Sequence, residues 1–246
     1  MAQSEALANR SLSAVELMEA TLDRIEAVNG RVNAIVSMVA RDVLLDQARA
    51  ADAGRRRGWL HGIPIAIKDL SDAKGLPTSK GSPLFAGSIA ENDSLFVARI
   101  KAAGAIVIGK TNTPEFGLGS HTFNPVHGAT RNPYDLSRSA GGSSGGAAAA
   151  LASGMLSIAD GSDMMGSLRN PAGWNNVYGM RPSWGTVPAE PEGDMYLHQL
   201  ATSGPMARNP RDLAALLDTM TGVDPCQPLG RTPSASLPAL NSMPHR

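Results

Sequence analysis

The chain has 246 residues, 42% of them hydrophobic, enough for one large domain or two small ones around a sizeable core. Twenty-two basic and 22 acidic residues cancel, leaving no sign of a nucleic-acid face or a polybasic membrane anchor. The single cysteine, Cys226, excludes an internal disulfide and a cysteine-built zinc site, and the histidines His61, His121, His127, His198 and His245 contain no H-x-x-x-H pair.

No run of about 18 apolar residues appears, so no membrane span is expected. The N-terminus M-A-Q-S-E-A-L-A-N-R lacks the basic-then-apolar order of a secretory signal, so the expectation is a cytoplasmic protein. Residues 11–50 read as two amphipathic helices. In the first, Val15, Met18, Leu22 and Ile25 recur at helical spacing, and Ser13 followed by Glu16 fits a capping box. The second is rich in Ala and Arg and runs to about Arg57. The run G-I-P-I-A-I-K-D-L, Gly62 to Leu70, reads as a short buried strand. A helix over about Ser94 to Ala103 feeds a second strand, Ala105 to Ile108, and strand–helix–strand order suggests an α/β fold. Residues 111–140 are rich in turn formers. G-G-S-S-G-G then opens an Ala-rich helix, Ala147 to Ala152, and M-L-S-I-A-D reads as another strand. The last 22 residues, Pro225 to Arg246, carry five prolines and no periodic apolar pattern, and read as an irregular tail beyond a core spanning residues 1–224.

Two motif matches fail on physical grounds. G-A-I-V-I-G-K-T, Gly104 to Thr111, satisfies the P-loop pattern, but Ala-Ile-Val-Ile between the glycines favours the strand itself, and Pro114 opposes a helix starting at Thr111. G-G-S-S-G, Gly141 to Gly145, satisfies the nucleophile-elbow pattern, yet N-P-Y-D-L-S-R-S-A before it is no hydrophobic strand.

The lysines are more informative. There are five against 17 arginines, and none after Lys110. Lys68 ends the apolar run I-P-I-A-I, where desolvation favours the neutral amine, a form able to act as a general base. A lysine paired with Asp69 or another acid fits the same position. Two serines sit in glycine-bearing turns, Ser143 in G-G-S-S-G-G and Ser167 in M-M-G-S. Such turns let backbone N–H groups converge on an oxyanion, and a serine needs a base to become a nucleophile.

The segment from G-G-S-S-G-G through G-S-D-M-M-G-S-L-R-N-P-A resembles the signature of the amidase signature family. G-I-P-I-A-I-K-D-L, A-G-A-I-V-I-G-K-T-N-T-P-E-F-G and R-P-S-W-G-T-V-P are similar to its other blocks, in the family's order, over roughly Ser11 to Asp224. The resemblance implies a mixed β-sheet core covered by helices and a Ser–Ser–Lys triad, with Ser167 as nucleophile, Ser143 as bridge and Lys68 as base. It implies an acyl-enzyme route for linear amides, anilides, carbamates or esters, without cofactor or metal, on a small-molecule substrate. Backbone N–H groups of Met164, Met165, Gly166 and Ser167 would form the oxyanion hole, and Gly117 would line the acyl side. Asp163, Arg169 and Ser144 would support the turns. Met165 stands where the family commonly has Gly or Ala, a departure that costs little if its φ is negative and lets the side chain occupy pocket space. The family's chains continue well beyond this length, so the resemblance also implies an incomplete version of the fold. Such a chain is either an active hydrolase, alone or as a homodimer, or an inactive fragment serving as an interaction module. An amidotransferase A-type subunit is the other reading within the family, and N-P-A-G-W-N-N-V-Y-G looks unlike that branch.

Overall fold

Ser13 accepts the N–H of Glu16 on its side chain, and Glu16 reaches back to the N–H of Ser13 at 2.8 Å. This capping box, worth about 1 kcal/mol, starts α2 (Ala14–Val32), which follows a short α1 (Ala2–Ala8). Ala14, Leu17, Met18, Leu22, Ile25, Val28 and Val32 form its buried stripe, and Val15 packs at the stripe's edge. The helix stops at Asn33, which takes the left-handed conformation at φ 54°. The computed structural model describes residues 1–232 and 235–241. Among these residues the chain continues through β1 (Ile35–Val36), α3 (Arg41–Ala53), β2 (Pro64–Lys68), α4 (Leu95–Ala102) and β3 (Ile106–Thr111). The Ala/Arg-rich helix therefore ends at Ala53, short of the arginine run expected to close it, because Gly54 leaves helical φ/ψ.

β2 and β3 pair in parallel through α4, and β1 adds antiparallel to β3, giving the order β1-β3-β2. Gly109, Lys110 and Thr111 lie inside β3. The apparent P-loop is thus a strand, as its apolar residues require. The turn-rich region folds into two small hairpins, β4 (Phe123–Asn124) with β5 (Gly128–Ala129), and β6 (Arg131–Asn132) with β7 (Asp135–Ser139).

α5 (Gly145–Ala152) is buried all round except Ala152, the mark of a central helix rather than an amphipathic one. A Cβ on Gly146 would lie 2.3 Å from the Asn112 nitrogen and 2.6 Å from the Ala34 oxygen, so the small-residue run is a steric requirement. After α5 come β8 (Ile158–Asp163), α6 (Arg169–Trp174), β9 (Tyr178–Gly179), β10 (Thr202–Ala207) and α7 (Pro210–Met220). The three strands form a second sheet, β8-β10-β9, all antiparallel. β8 lies beside β2, and the Lys68 N–H donates to Asp160 Oδ1 at 2.9 Å across the seam between the sheets.

The tail differs from its expected irregularity. Residues Ser236–Asn241 form α8, whose first N–H groups, of Ser236 and Leu237, donate to Asp218 of α7 at 2.6 and 2.9 Å. A carboxylate at a helix start outweighs the prolines there, one of which, Pro238, sits in the first turn where it loses no hydrogen bond. The end of the tail, 242–246, lies outside the described residues. No helix among the described residues is long and apolar enough to cross a membrane.

Candidate active site

β2 delivers Lys68 to a wholly buried position. Its Nζ lies 2.7 Å from Ser143 Oγ, 2.9 Å from Ser144 Oγ and 3.0 Å from Ser162 Oγ. Ser143 follows a cis peptide bond from Gly142. The glycines before it are sterically required: a Cβ on Gly142 would lie 2.9 Å from the His121 nitrogen, and Gly141 takes φ 77°. The alternative pairing of Lys68 with Asp69 is not the one formed. Asp69 accepts from Ser79 N–H at 3.0 Å and Oγ–H at 2.5 Å, and lies 3.9 Å from Lys110 Nζ.

Burial pushes the Lys68 amine down to about 7, although Asp160 and Asp163 pull the other way. A neutral amine has two hydrogens and one lone pair. Ser144 Oγ donates to the Ser162 carbonyl and accepts the Ser162 N–H, both at 3.3 Å, so toward Lys68 it can only accept. With Ser144 and Ser162 taking the two hydrogens, the lone pair faces Ser143. The arrangement can therefore take a proton from the Ser143 hydroxyl.

The turn after β8 is held by one carboxylate. Asp163 accepts the N–H of Gly166 at 2.7 Å and of Leu168 at 3.1 Å, and binds Arg169 through Nε at 3.0 Å and Nη2 at 3.1 Å. Burial alone would raise its pKa, but the Arg169 hydrogen bond and the two amides outweigh burial and hold it down to about 2. Arg181 Nη1 adds a contact at 3.8 Å and donates to the Met164 carbonyl at 3.3 Å. Asp163 and Arg169 thus tie the turn to the end of β8.

Ser167 is half-buried, and its carbonyl accepts the Ser144 N–H at 3.1 Å, which sets the two serine turns side by side. Gly166 departs from expectation: its N–H is committed to Asp163, and its φ of 121° supplies the bend. Met165 is not among the residues with positive φ. Its side chain is 84% exposed and Met164's 43%. The amides of Met164, Met165 and Ser167 donate to no group among the described residues. Gly117, at φ 71°, flanks Ser143: a Cβ there would sit 3.7 Å from Ser143 Oγ and 2.6 Å from Leu70 Cδ1.

Two polar residues of β8 escape a reading by motif. Ser162 is the third acceptor of the Lys68 amine, and Asp160 binds the Lys68 backbone. They lie two positions apart in a strand, and therefore on one side of it; that spacing in the run I-A-D-G-S-D was the available signal. A cavity of about 1100 Å³, lined by Arg55, Arg57, Lys74, Lys101 and Ile106 among others, touches none of these residues. No cluster of three or more His, Cys, Asp or Glu able to hold a metal occurs among the described residues.

The chain as a whole is similar to known proteins. A family model described as Amidase matches residues 16–239. The chain is 44% identical over 232 residues to an indoleacetamide hydrolase of Bradyrhizobium diazoefficiens, covering 91% of this chain and 44% of that protein. It is 41% identical over 223 residues to the A-type subunit of the glutamyl-tRNA(Gln) amidotransferase of Anaeromyxobacter dehalogenans, covering 89% and 45%. Among solved structures, a bacterial aryl acylamidase of the amidase signature enzymes superposes with TM-score 0.88 at 32% identity, covering 96% of this chain and 50% of that one. The chain spans about half the length of these relatives. With the family model matching most of its length, the chain belongs to the amidase signature family.

Proposed function

We propose that the chain carries the catalytic half of an amide hydrolase working through Ser167, Ser143 and Lys68. The observation that supports this most is the 2.7 Å contact between the Lys68 amine and the Ser143 hydroxyl, with the Ser167 turn hydrogen-bonded beside it. In this reading the Lys68 lone pair takes the Ser143 proton, and Ser143 takes the Ser167 proton. Ser167 Oγ attacks the amide carbonyl, and the oxyanion meets the amides of Met164, Met165 and Ser167. The proton returns through Ser143 to the leaving nitrogen, and the C–N bond breaks to give an ester on Ser167. Water enters by the same relay and releases the acid. Gly117, beside Ser143, lines the acyl side, and a small-molecule amide, carbamate or ester is the substrate class.

The same relay would serve a protein that takes ammonia from an amide donor, the reading suggested by the amidotransferase relative. The experiment is incubation with aliphatic amides, anilides, carbamates and esters, with mass spectrometry of the quenched protein. An acyl mass on the peptide containing Ser167, together with released acid, is expected. Hydrolysis that persists unchanged in Ser167→Ala would refute the assignment.

A further inference from the structure

The carboxyl of Asp160 is wholly buried at the seam between the two sheets. One oxygen, Oδ1, accepts the Lys68 backbone N–H. The other, Oδ2, is buried with no hydrogen-bond partner among the described residues. Across β8 and β10 its opposite residue is Pro205, which has no N–H to offer. A buried acid with half its acceptors unused is costly, and an apolar side chain or an amide would fill the space more cheaply. Its electrostatic neighbours are Lys68 on β2 and Lys110 on β3. Other charges in this region are Asp163, at the end of β8, and Asp69, which follows β2 and lies against Lys110 and His127.

We propose that Asp160 is a positioning residue that holds the Lys68 strand through Oδ1 and, as a carboxylate, keeps Lys68 basic enough to take the Ser143 proton. This inference rests on the proposed relay. In the relay Lys68 gains one proton and becomes an ammonium ion inside the protein, with no acidic side chain among its three hydrogen-bond partners. Burial opposes that ion strongly, and a neighbouring carboxylate offsets burial. The two groups affect each other in the matching sense: Asp160 favours protonation of Lys68, and Lys68 and Lys110 favour ionisation of Asp160 against the burial that pushes it up to about 6.

Five lysines make the test practicable, because their ε-carbons can be followed by NMR in protein labelled with carbon-13 lysine, the Lys68 signal being assigned by its loss in Lys68→Met. Asp160→Asn keeps an oxygen for the Lys68 N–H and removes the charge. Its Lys68 titration midpoint is expected to fall by about one pH unit or more. The pH at which a fluorophosphonate reacts half-maximally with Ser167 is expected to fall with it. A midpoint that stays or rises overturns the proposal, since a merely structural acceptor would leave it in place. If the Asn variant does not fold, the wild-type Asp160 carboxyl carbon decides. It should titrate in two steps shared with Lys68, and a single independent step overturns the proposal. If wild-type Ser167 reacts at no pH, the relay itself fails, while the Lys68 titration still tests the influence of Asp160.

Discussion

Lys68 Nζ and Ser143 Oγ meet at 2.7 Å where the buried end of β2 faces the turn before α5. Neither side chain could be so placed by its own element alone. Ser144 and Ser162 take the other two directions around the amine, and Ser144, whose hydroxyl donates to the Ser162 carbonyl, can only accept from it. The proposed relay needs this amine neutral, and burial brings its pKa to about 7. Hydrolysis should therefore rise with pH through about 7, as the amine loses its proton, and Lys68→Ala should lower kcat/KM by about 10² or more. A pH–rate profile with no acid limb near neutrality would contradict this.

The same shift bears on stability. Lys68 holds fewer protons folded than unfolded between about 7 and its ordinary 10.5. This group's contribution to stability therefore rises with pH across that window. Asp163 has the opposite origin. Its carboxylate, held at about 2 against an ordinary 3.8, stabilises the fold fully above pH 4 and loses that contribution as pH falls toward 2. Asp163→Ala leaves the Gly166 and Leu168 amides without an acceptor and should cost about 3 kcal/mol. Urea unfolding at pH 7 and pH 3 measures the Asp163 effect, and the difference between wild type and variant should shrink at the lower pH; unfolding at pH 7 and pH 10 measures the Lys68 effect.

Gly161→Ala tests the packing behind the lysine. The added Cβ would fall 2.6 Å from Leu168 Cδ2 and 2.7 Å from Ser144 Oγ. It displaces a Lys68 acceptor and should destabilise the protein by about 1–3 kcal/mol while lowering kcat more than it raises KM. Thermal unfolding and steady-state kinetics on one ester substrate separate the two effects.

Met165→Gly asks what the bulky side chain does in the Ser167 turn. Because Met165 lacks positive φ and its side chain is exposed, the turn does not need glycine there. The substitution should change relative kcat/KM among acyl groups of different size. A uniform rise for every substrate would mean instead that the methionine disturbs the proposed oxyanion site.

Much of this was legible in the sequence because it depends on local rules. The capping box at Ser13 and Glu16, the apolar runs of β2 and β3, and the glycine turns each carry their signal within a few residues. The failed P-loop match also yielded to local reasoning, since Ala-Ile-Val-Ile could only be strand. What escaped is set by distant neighbours. Asp160 and Ser162 matter because β8 lies beside β2, about 92 positions away in the chain, a proximity the parallel pairing of β2 and β3 does not announce. Gly166's engagement with Asp163 depends on how the turn closes on its own carboxylate, and α8 on a partner, Asp218, outside its segment.

The central claim is that Ser167 is the nucleophile and is activated through Ser143 by Lys68. Fluorophosphonate labelling at pH 8, with the modified residue identified by peptide mass spectrometry, tests it most directly. The relay requires labelling of Ser167 in the wild type, its loss in Ser167→Ala, and rates at least about 10²-fold lower in Ser143→Ala and Lys68→Ala. Labelling at another serine, or at Ser167 with a rate indifferent to Lys68, would contradict it.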